Sequence, residues 1–162
     1  MRVTLPLLRI PPARAPILRY GVAVFSTALA LIPSAAHFFE LFNKVGLSEG
    51  QYFVVQGIYR GWALFGYVWL AAMIVDFALA VALWRRGERA WHAVIAGVLI
   101  AISFAIFFAR IYPANQATAN WTTIPAGWQL LRTQWEFGHA VDAVLAFIAL
   151  GLVTLAAIGS RD

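Results

Sequence analysis

WALFGYVWLAAMIVDFALAVALW, residues 62 to 84, decides the fold, because it runs for 23 residues with one charged side chain, Asp76. At about 1.5 Å of rise per residue, such a run crosses a hydrocarbon core of about 30 Å as a single helix. A barrel strand would be about ten residues long with strict alternation, which this stretch lacks. Three further runs of the same kind, residues 17 to 42, 91 to 112 and 135 to 159, flank it. The 162 residues are 62% hydrophobic and 12% charged, with a mean hydropathy of +0.78, far too apolar for a water-soluble domain. The expectation is an all-α integral membrane protein: an antiparallel four-helix bundle with outer loops at 43–61 and 113–134 and a lipid bilayer as its solvent.

Charge placement orients that bundle. The net charge is +5, but the cations flank apolar segments and form no stripe with stacking aromatics, so nucleic acid is not expected as a partner. Arg2, Arg9, Arg14, Arg19, Arg85, Arg86, Arg89 and Arg161 fall on one side, and Lys44, Arg60, Arg110 and Arg132 on the other. By the positive-inside bias this puts both termini in the cytoplasm of a multi-pass protein of the inner (plasma) membrane. Residues 1 to 16 carry Pro6, Pro11, Pro12 and Pro16 and read as a tail or interfacial strap. The apolar run behind them is too long for a signal-peptide core, so it is expected to stay attached as an anchor. Without cysteine, disulfides, thiolate metal sites and thiol redox chemistry are excluded.

Against this apolar background the polar side chains stand out, since a charge within a span is costly unless paired or functional. His37 and Glu40 close the first run, Asn115 follows the third, and Glu136, His139 and Asp142 open the fourth. In an up-and-down bundle all of them fall at one end. His37 with Glu40, and Glu136 with His139, are spaced by three residues, so each pair projects from one helical face. Imidazole beside carboxylate is the usual general-base pairing, which makes His139, His37, Glu136 and Asp142 the candidate catalytic residues. The same spacing is half of a four-helix di-iron arrangement, but the middle helices supply no glutamate at that level. His37, Glu40, Glu136 and His139 could therefore hold at most a single divalent metal such as iron, copper or zinc. The structural alternative is that these groups tie helix ends together and do nothing else. Asp76 is expected to hydrogen-bond the third helix near Ser103 or to reach local water, and Asp142 to orient His139 or meet Arg110.

Two outer segments add aromatic and amide groups. Pro33 is expected to kink the first helix one turn before His37. Residues 51 to 59 can form a short helix over the bundle mouth, and Gln56, Tyr59, Arg60 and Trp62 cluster behind it. The guanidinium there could bind lipid phosphate, pair with Glu40 or hold an anionic substrate. Loop 113–134, with Asn115, Trp121 and Trp128, reads either as an interfacial belt or as a lid. Gln56, Tyr59, Arg60, Asn115, Trp121 and Trp135 are the candidate substrate-binding residues.

The segments PSAAHFFELFNKVGLSEGQYFVVQGIYRGW (33–62), PANQATANW (113–121) and WEFGH (135–139) resemble the family of small four-helix membrane proteins named for fungal anthrone oxygenases. The resemblance covers Pro33 to Asp142. It implies a four-helix bundle with an outer loop, and oxidation of a tricyclic anthrone to an anthraquinone by dioxygen without an added cofactor. Asn115, Trp121, Trp135 and His139 match the family's motif positions. Where family members commonly place arginine three residues after that histidine, this chain has Asp142, which reverses the local charge.

Two functions follow. One is an oxidoreductase acting on a lipophilic aromatic or quinone-type small molecule in an outer-leaflet site, with His139 removing a proton and Trp121 and Trp135 stacking on the ring. The other is a non-catalytic membrane subunit or small-molecule binding protein, in a homo-oligomer or a larger membrane complex. A proton or solute carrier would need a continuous chain of ionisable groups, and Asp76 and Asp142 leave it broken.

Overall fold

The computed structural model describes residues 15 to 159, with side chains from Leu18 onward, so the proline-rich stretch before Ala15 and the terminal Arg161 lie outside the described residues. The described chain is helical throughout: α1 (Ala15–Lys44), α2 (Glu49–Gln56), α3 (Phe65–Trp84), α4 (Trp91–Ile106), α5 (Tyr112–Ala117) and α6 (Trp128–Ile158). Four segments are long and apolar enough to cross a membrane: Leu18–Lys44, Trp62–Trp84, Trp91–Ala117 and Trp128–Ile158. This makes the chain a multi-pass helical membrane protein.

Helix α1 packs on α3 and α6, and α4 packs on the same two, so the four long helices close a ring. Its interior is lined by small side chains, among them Ala23, Ala30, Ala72, Ala93, Ala96, Ala146 and Ala149, all fully buried. Alanine at these positions lets helix backbones approach, which is how helices associate where lipid is as apolar as leucine. Gly97 takes this furthest: a Cβ there would lie 2.9 Å from the Phe77 ring. Large side chains such as Phe25, Ile74, Phe108 and Phe147 point outward instead, as a bilayer solvent allows. Asp76 is fully buried in this interior, and Thr27 Oγ1 of α1 lies 3.2 Å from both of its carboxyl oxygens. Its partner is thus Thr27 on α1, which corrects the expectation of a bond to α4 near Ser103.

One end of the ring is a tight turn, the other a folded cap. At the turn, Gly87 takes φ 71°, and Glu88 accepts from Arg86 Nε at 2.6 Å and from Arg19 Nη2 at 3.1 Å, tying α1 to the α3–α4 connection. The hydrogen bond from Arg86, ahead of the charge of Arg19, holds the Glu88 carboxyl below its ordinary value of 4.5. His92 stacks on Trp91 with ring centroids 3.6 Å apart.

At the cap the helices run further than expected. Residues 91–117 are continuous through a wide π turn, Phe107–Ile111, rather than ending at Tyr112. Pro113 explains both facts. Its missing N–H and its ring disfavour a normal turn behind it, and a wider turn accommodates the proline without ending the helix. Helix α6 begins at Trp128, seven residues before the expected start at 135, after Gly127 in the left-handed region at φ 76°. Arg132 is held in the cap, its Nη1 donating to Leu47 O at 2.9 Å and its guanidinium 4.8 Å from the Trp128 ring. Helix α2 starts at Ser48, whose N–H and Oγ lie 3.2 and 2.8 Å from Gln51 Oε1, the reciprocal half of a capping box.

Between α5 and α6, Ala119, Asn120 and Trp121 have φ of 47°, 56° and 63°. A left-handed turn costs non-glycine residues about 1–2 kcal/mol each. Thr118 offsets that cost. Its carbonyl accepts from the N–H groups of Thr122 and Thr123 at 3.0 Å, and its hydroxyl oxygen accepts from Trp121 N at 3.0 Å while donating to Ala114 O at 2.8 Å. The result turns Trp121 inward beneath the cap, where it is 7% exposed.

Candidate functional site

His37, Glu40 and Lys44 follow one another at three and four residues, so α1 presents all three on one stripe at its cap end. On α6, Trp135 and Glu136 lie four and three residues before His139, which puts all three on one side of that helix. The stripes meet. The His37 and His139 rings stack with centroids 4.1 Å apart and planes at 25°, and Trp135 stands edge-on to both, at 4.8 and 4.4 Å. Tyr59 and Trp62 close over His37 at 4.5 and 5.2 Å. His37 is buried, and its Nδ1 has no hydrogen-bond partner.

Beside the imidazoles lies a buried ionic network built around Lys44, whose role the sequence did not disclose. Its Nζ is 2.8 Å from Glu136 Oε1 and 2.9 Å from the Tyr59 hydroxyl, and it sits 4.4 and 4.5 Å over the Tyr59 and Trp135 rings. Tyr59 in turn donates its hydroxyl proton to Glu40. From α2, Tyr52 donates to Glu136 Oε1 at 2.8 Å and accepts from Gln56 Nε2 at 2.6 Å. Burial, and then the neighbouring Glu136 carboxylate, push the Tyr52 phenol above its ordinary range, so it remains a proton donor to that carboxylate. One ammonium therefore serves two carboxyl groups, Glu136 directly and Glu40 through the Tyr59 phenol.

The ceiling is aromatic. Tyr52, Trp121, Trp128 and Trp135 pack with Ile111 and Ala114 into one buried cluster. Asn115 fixes it from below: its Oδ1 accepts from Trp121 Nε1 at 3.0 Å and from Trp135 Nε1 at 2.9 Å. Indole N–H groups only donate, so the amide's orientation is settled, and its amino group is what it offers elsewhere.

Next to the histidines a cleft of about 840 Å³ runs between the cap-side halves of α3 and α4. His139, Asp142, Ser103, Ser34, Asn115, Gln116 and Asn120 supply its polar lining, and aromatic side chains from Trp62 to Tyr112 supply its walls. That volume suits a drug-sized molecule.

The expected site residues thus divide. His37, Glu40, Glu136, His139, Gln56, Tyr59 and Trp135 come together, with Asn115 and Trp121 directly adjoining. Asp142 faces the cleft and Ser103 rather than pairing with Arg110. Arg60 is exposed, with no ion pair among the described residues and no place in the cleft. As for a metal, among the described residues no group of three or more histidine, aspartate or glutamate side chains is arranged to hold an ion. Glu136 is engaged by Lys44 and Tyr52, and Glu40 by Tyr59. The imidazoles meet face to face, whereas their lone pairs lie in the ring planes, so as placed they do not converge on one ion. Lys44, Tyr52, Ser34 and Thr118 were missed; the 37–40–44 spacing was the available signal for Lys44.

Fold and site together define a multi-pass helical membrane protein with an imidazole pair and a buried ionic network at one end. Compared with models of known protein families, with curated proteins and with solved structures, the chain matches none.

Proposed function

We propose that this chain is an inner-membrane oxidoreductase that carries out acid–base chemistry on a lipophilic aromatic or quinone-type molecule bound beside His139. The observation that carries the reading is the stacked His37–His139 pair opening through His139 onto an 840 Å³ cleft with aromatic walls. The short α3–α4 connection, residues 85–90, makes those two helices antiparallel neighbours and favours an up-and-down bundle, and its arginines favour that end as cytoplasmic, with both termini on the same side.

In this reading a ring lies among the cleft aromatics and His139 accepts a proton from an activated carbon or hydroxyl. His37, stacked behind, holds the imidazole plane. The Lys44–Glu136 pair keeps a fixed field nearby without a net charge of its own. The resemblance to the anthrone oxygenases supplies a concrete reaction. The methylene carbon of anthrone loses two hydrogens and gains one oxygen atom from dioxygen, and the second oxygen leaves as water. Dioxygen is the only oxidant, and deprotonation to the electron-rich carbanion is the step a base accelerates. Metal assistance through His37, Glu40, Glu136 and His139 would require Glu136 to leave Lys44 and the rings to turn, so we favour the metal-free form.

The test is oxygen uptake and anthraquinone absorbance with anthrone added to the purified protein in lipid nanodiscs. A positioned general base contributes about 10²–10⁴-fold, so wild type should exceed empty nanodiscs, and His139→Gln and His37→Gln should fall towards them. No acceleration over empty nanodiscs, or full activity in both variants, would overturn the enzymatic reading and leave a non-catalytic membrane subunit.

A further inference from the structure

Two polar groups at the base of the cleft are unused by the chemistry above. Ser103 of α4 is fully buried and Asp142 of α6 is 3% exposed. Ser103 Oγ and Asp142 Oδ1 face one another across the helix interface, yet neither closes a well-formed hydrogen bond. Leaving such a group unmatched costs about 1–3 kcal/mol, more for a charged one. Both residues line the cleft.

The cleft's surroundings say how these groups are reached. Above the histidines, Tyr52, Trp121, Trp128 and Trp135 are at most 7% exposed and form an aromatic roof, while the exposed Gln116, Ala119 and Asn120 line the cleft's cap-side rim. Along the side, Leu64, Tyr67 and Phe108 line the same cleft and are 68%, 70% and 61% exposed. These residues belong to membrane-spanning segments, so the open flank faces acyl chains.

We infer that Ser103 and Asp142 form a hydrogen-bonding floor for the hydroxyl-type head of a lipid-dissolved molecule that enters sideways between α3 and α4, past Leu64, Tyr67 and Phe108, rather than through the aromatic roof. A hydroxyl fits because it both donates and accepts, matching a carboxyl oxygen and a serine hydroxyl together. An aromatic or alicyclic body would then lie against Trp69, Phe104 and Phe107. The inference rests on reading the cleft as a binding site and is independent of the reaction proposed for His139.

The experiment is photolabelling in lipid vesicles with an aryl diazirine carrying a hydroxymethyl group, against its methyl ether, with labelled residues mapped by mass spectrometry. The alcohol should label residues 103 to 107 saturably and be displaced by non-photoactive benzyl alcohol, whereas the ether should label only outward lipid-facing positions. Ser103→Ala and Asp142→Leu, each first shown to keep a cooperative thermal transition, should weaken the alcohol's labelling about tenfold, the worth of one strong hydrogen bond. Equal labelling by alcohol and ether, labelling confined to the cap aromatics, or unchanged labelling in both variants would overturn it. The displacement measurement uses the wild-type protein alone, so a variant that fails to fold does not remove the test. Intact labelling with no anthrone oxidation would overturn the reaction and leave the floor; the converse would remove the floor and leave the histidines.

Discussion

Lys44 Nζ lies 2.8 Å from Glu136 Oε1, with the two side chains 4% and 0% exposed, so the pair joins α1 to α6 where neither charge meets water. Removing one member strands the other. Lys44→Met should therefore lower stability by about 3–5 kcal/mol, and Glu136→Gln by a similar amount. The double variant Lys44→Met/Glu136→Leu leaves no unpaired charge and should recover much of the loss. Thermal unfolding in detergent, run as a double-mutant cycle, checks this; additive losses would mean that the two charges do not depend on each other.

Tyr52 makes the network sensitive to alkali. Its phenol is held above the ordinary value of 10.0 by burial and by Glu136, so the folded chain keeps this proton while the unfolded chain releases it at about pH 10. The folded state then binds more protons than the unfolded one, and stability falls as pH rises beyond 10. Below that value Tyr52 adds no pH dependence. Tyr52→Phe should flatten the decline between pH 9.5 and 11 relative to wild type, as read from melting temperatures across that range. Parallel curves for the two proteins would place the alkaline sensitivity elsewhere.

What could be read from sequence, and what could not, follows from how local each cause is. The spans were legible because hydropathy is a sum over neighbouring residues: the run from Trp62 to Trp84 stands as expected. The gathering of His37 and Glu136 at one end followed from counting residues along helices. Partner choice was not legible. From sequence Asp76 is expected to meet α4 near Ser103 or local water, and only the packing of α1 against α3 gives it Thr27. Lys44 reads in the sequence as a topology signal because positive charge at a span's end is common, although its place on the stripe of His37 and Glu40 already aims it inward. Trp128 falls in the expected loop 113–134, where polar side chains and tryptophans mask the helical start. The helix extends there because the cap receives Arg132, and Thr133 Oγ1 donates to Gln129 O within the helix.

Asn115 carries the ceiling on one oxygen. Asn115→Ala removes the acceptor from two largely buried indole N–H groups, at about 1–3 kcal/mol for each group left unmatched. Asn115→Asp keeps an acceptor and should retain more of the stability, while losing the amino group that faces the cleft. Melting temperature together with tryptophan emission distinguishes these outcomes, because stranded indoles should admit water and shift the emission to the red. Equal losses in both variants would point to the amino group rather than the indole bonds as the stabilising feature.

Three glycines on two helices test how closely the bundle is packed. At Gly138 a new Cβ would fall 2.9 Å from Ile111 Cγ1 and 3.2 Å from its Cδ1, against a fully buried side chain in the π turn. Ile111 has no free volume to retreat into, so Gly138→Ala should destabilise by about 1–3 kcal/mol, the usual cost of overpacking. Gly97→Ala meets the Phe77 ring at 2.9 Å, a side chain that can swing about its χ angles, and should cost less. Gly151 lies on the same α6 with nothing within 4 Å of its would-be Cβ. There the helix gains alanine's propensity without a clash, and Gly151→Ala should be neutral or stabilising by up to about 1 kcal/mol. Thermal unfolding of the three variants should therefore rank Gly138→Ala below Gly97→Ala below Gly151→Ala. If Gly138→Ala were as stable as Gly151→Ala, the close approach of α6 to the π turn would be wrong, and with it the seating of His139 one residue further along.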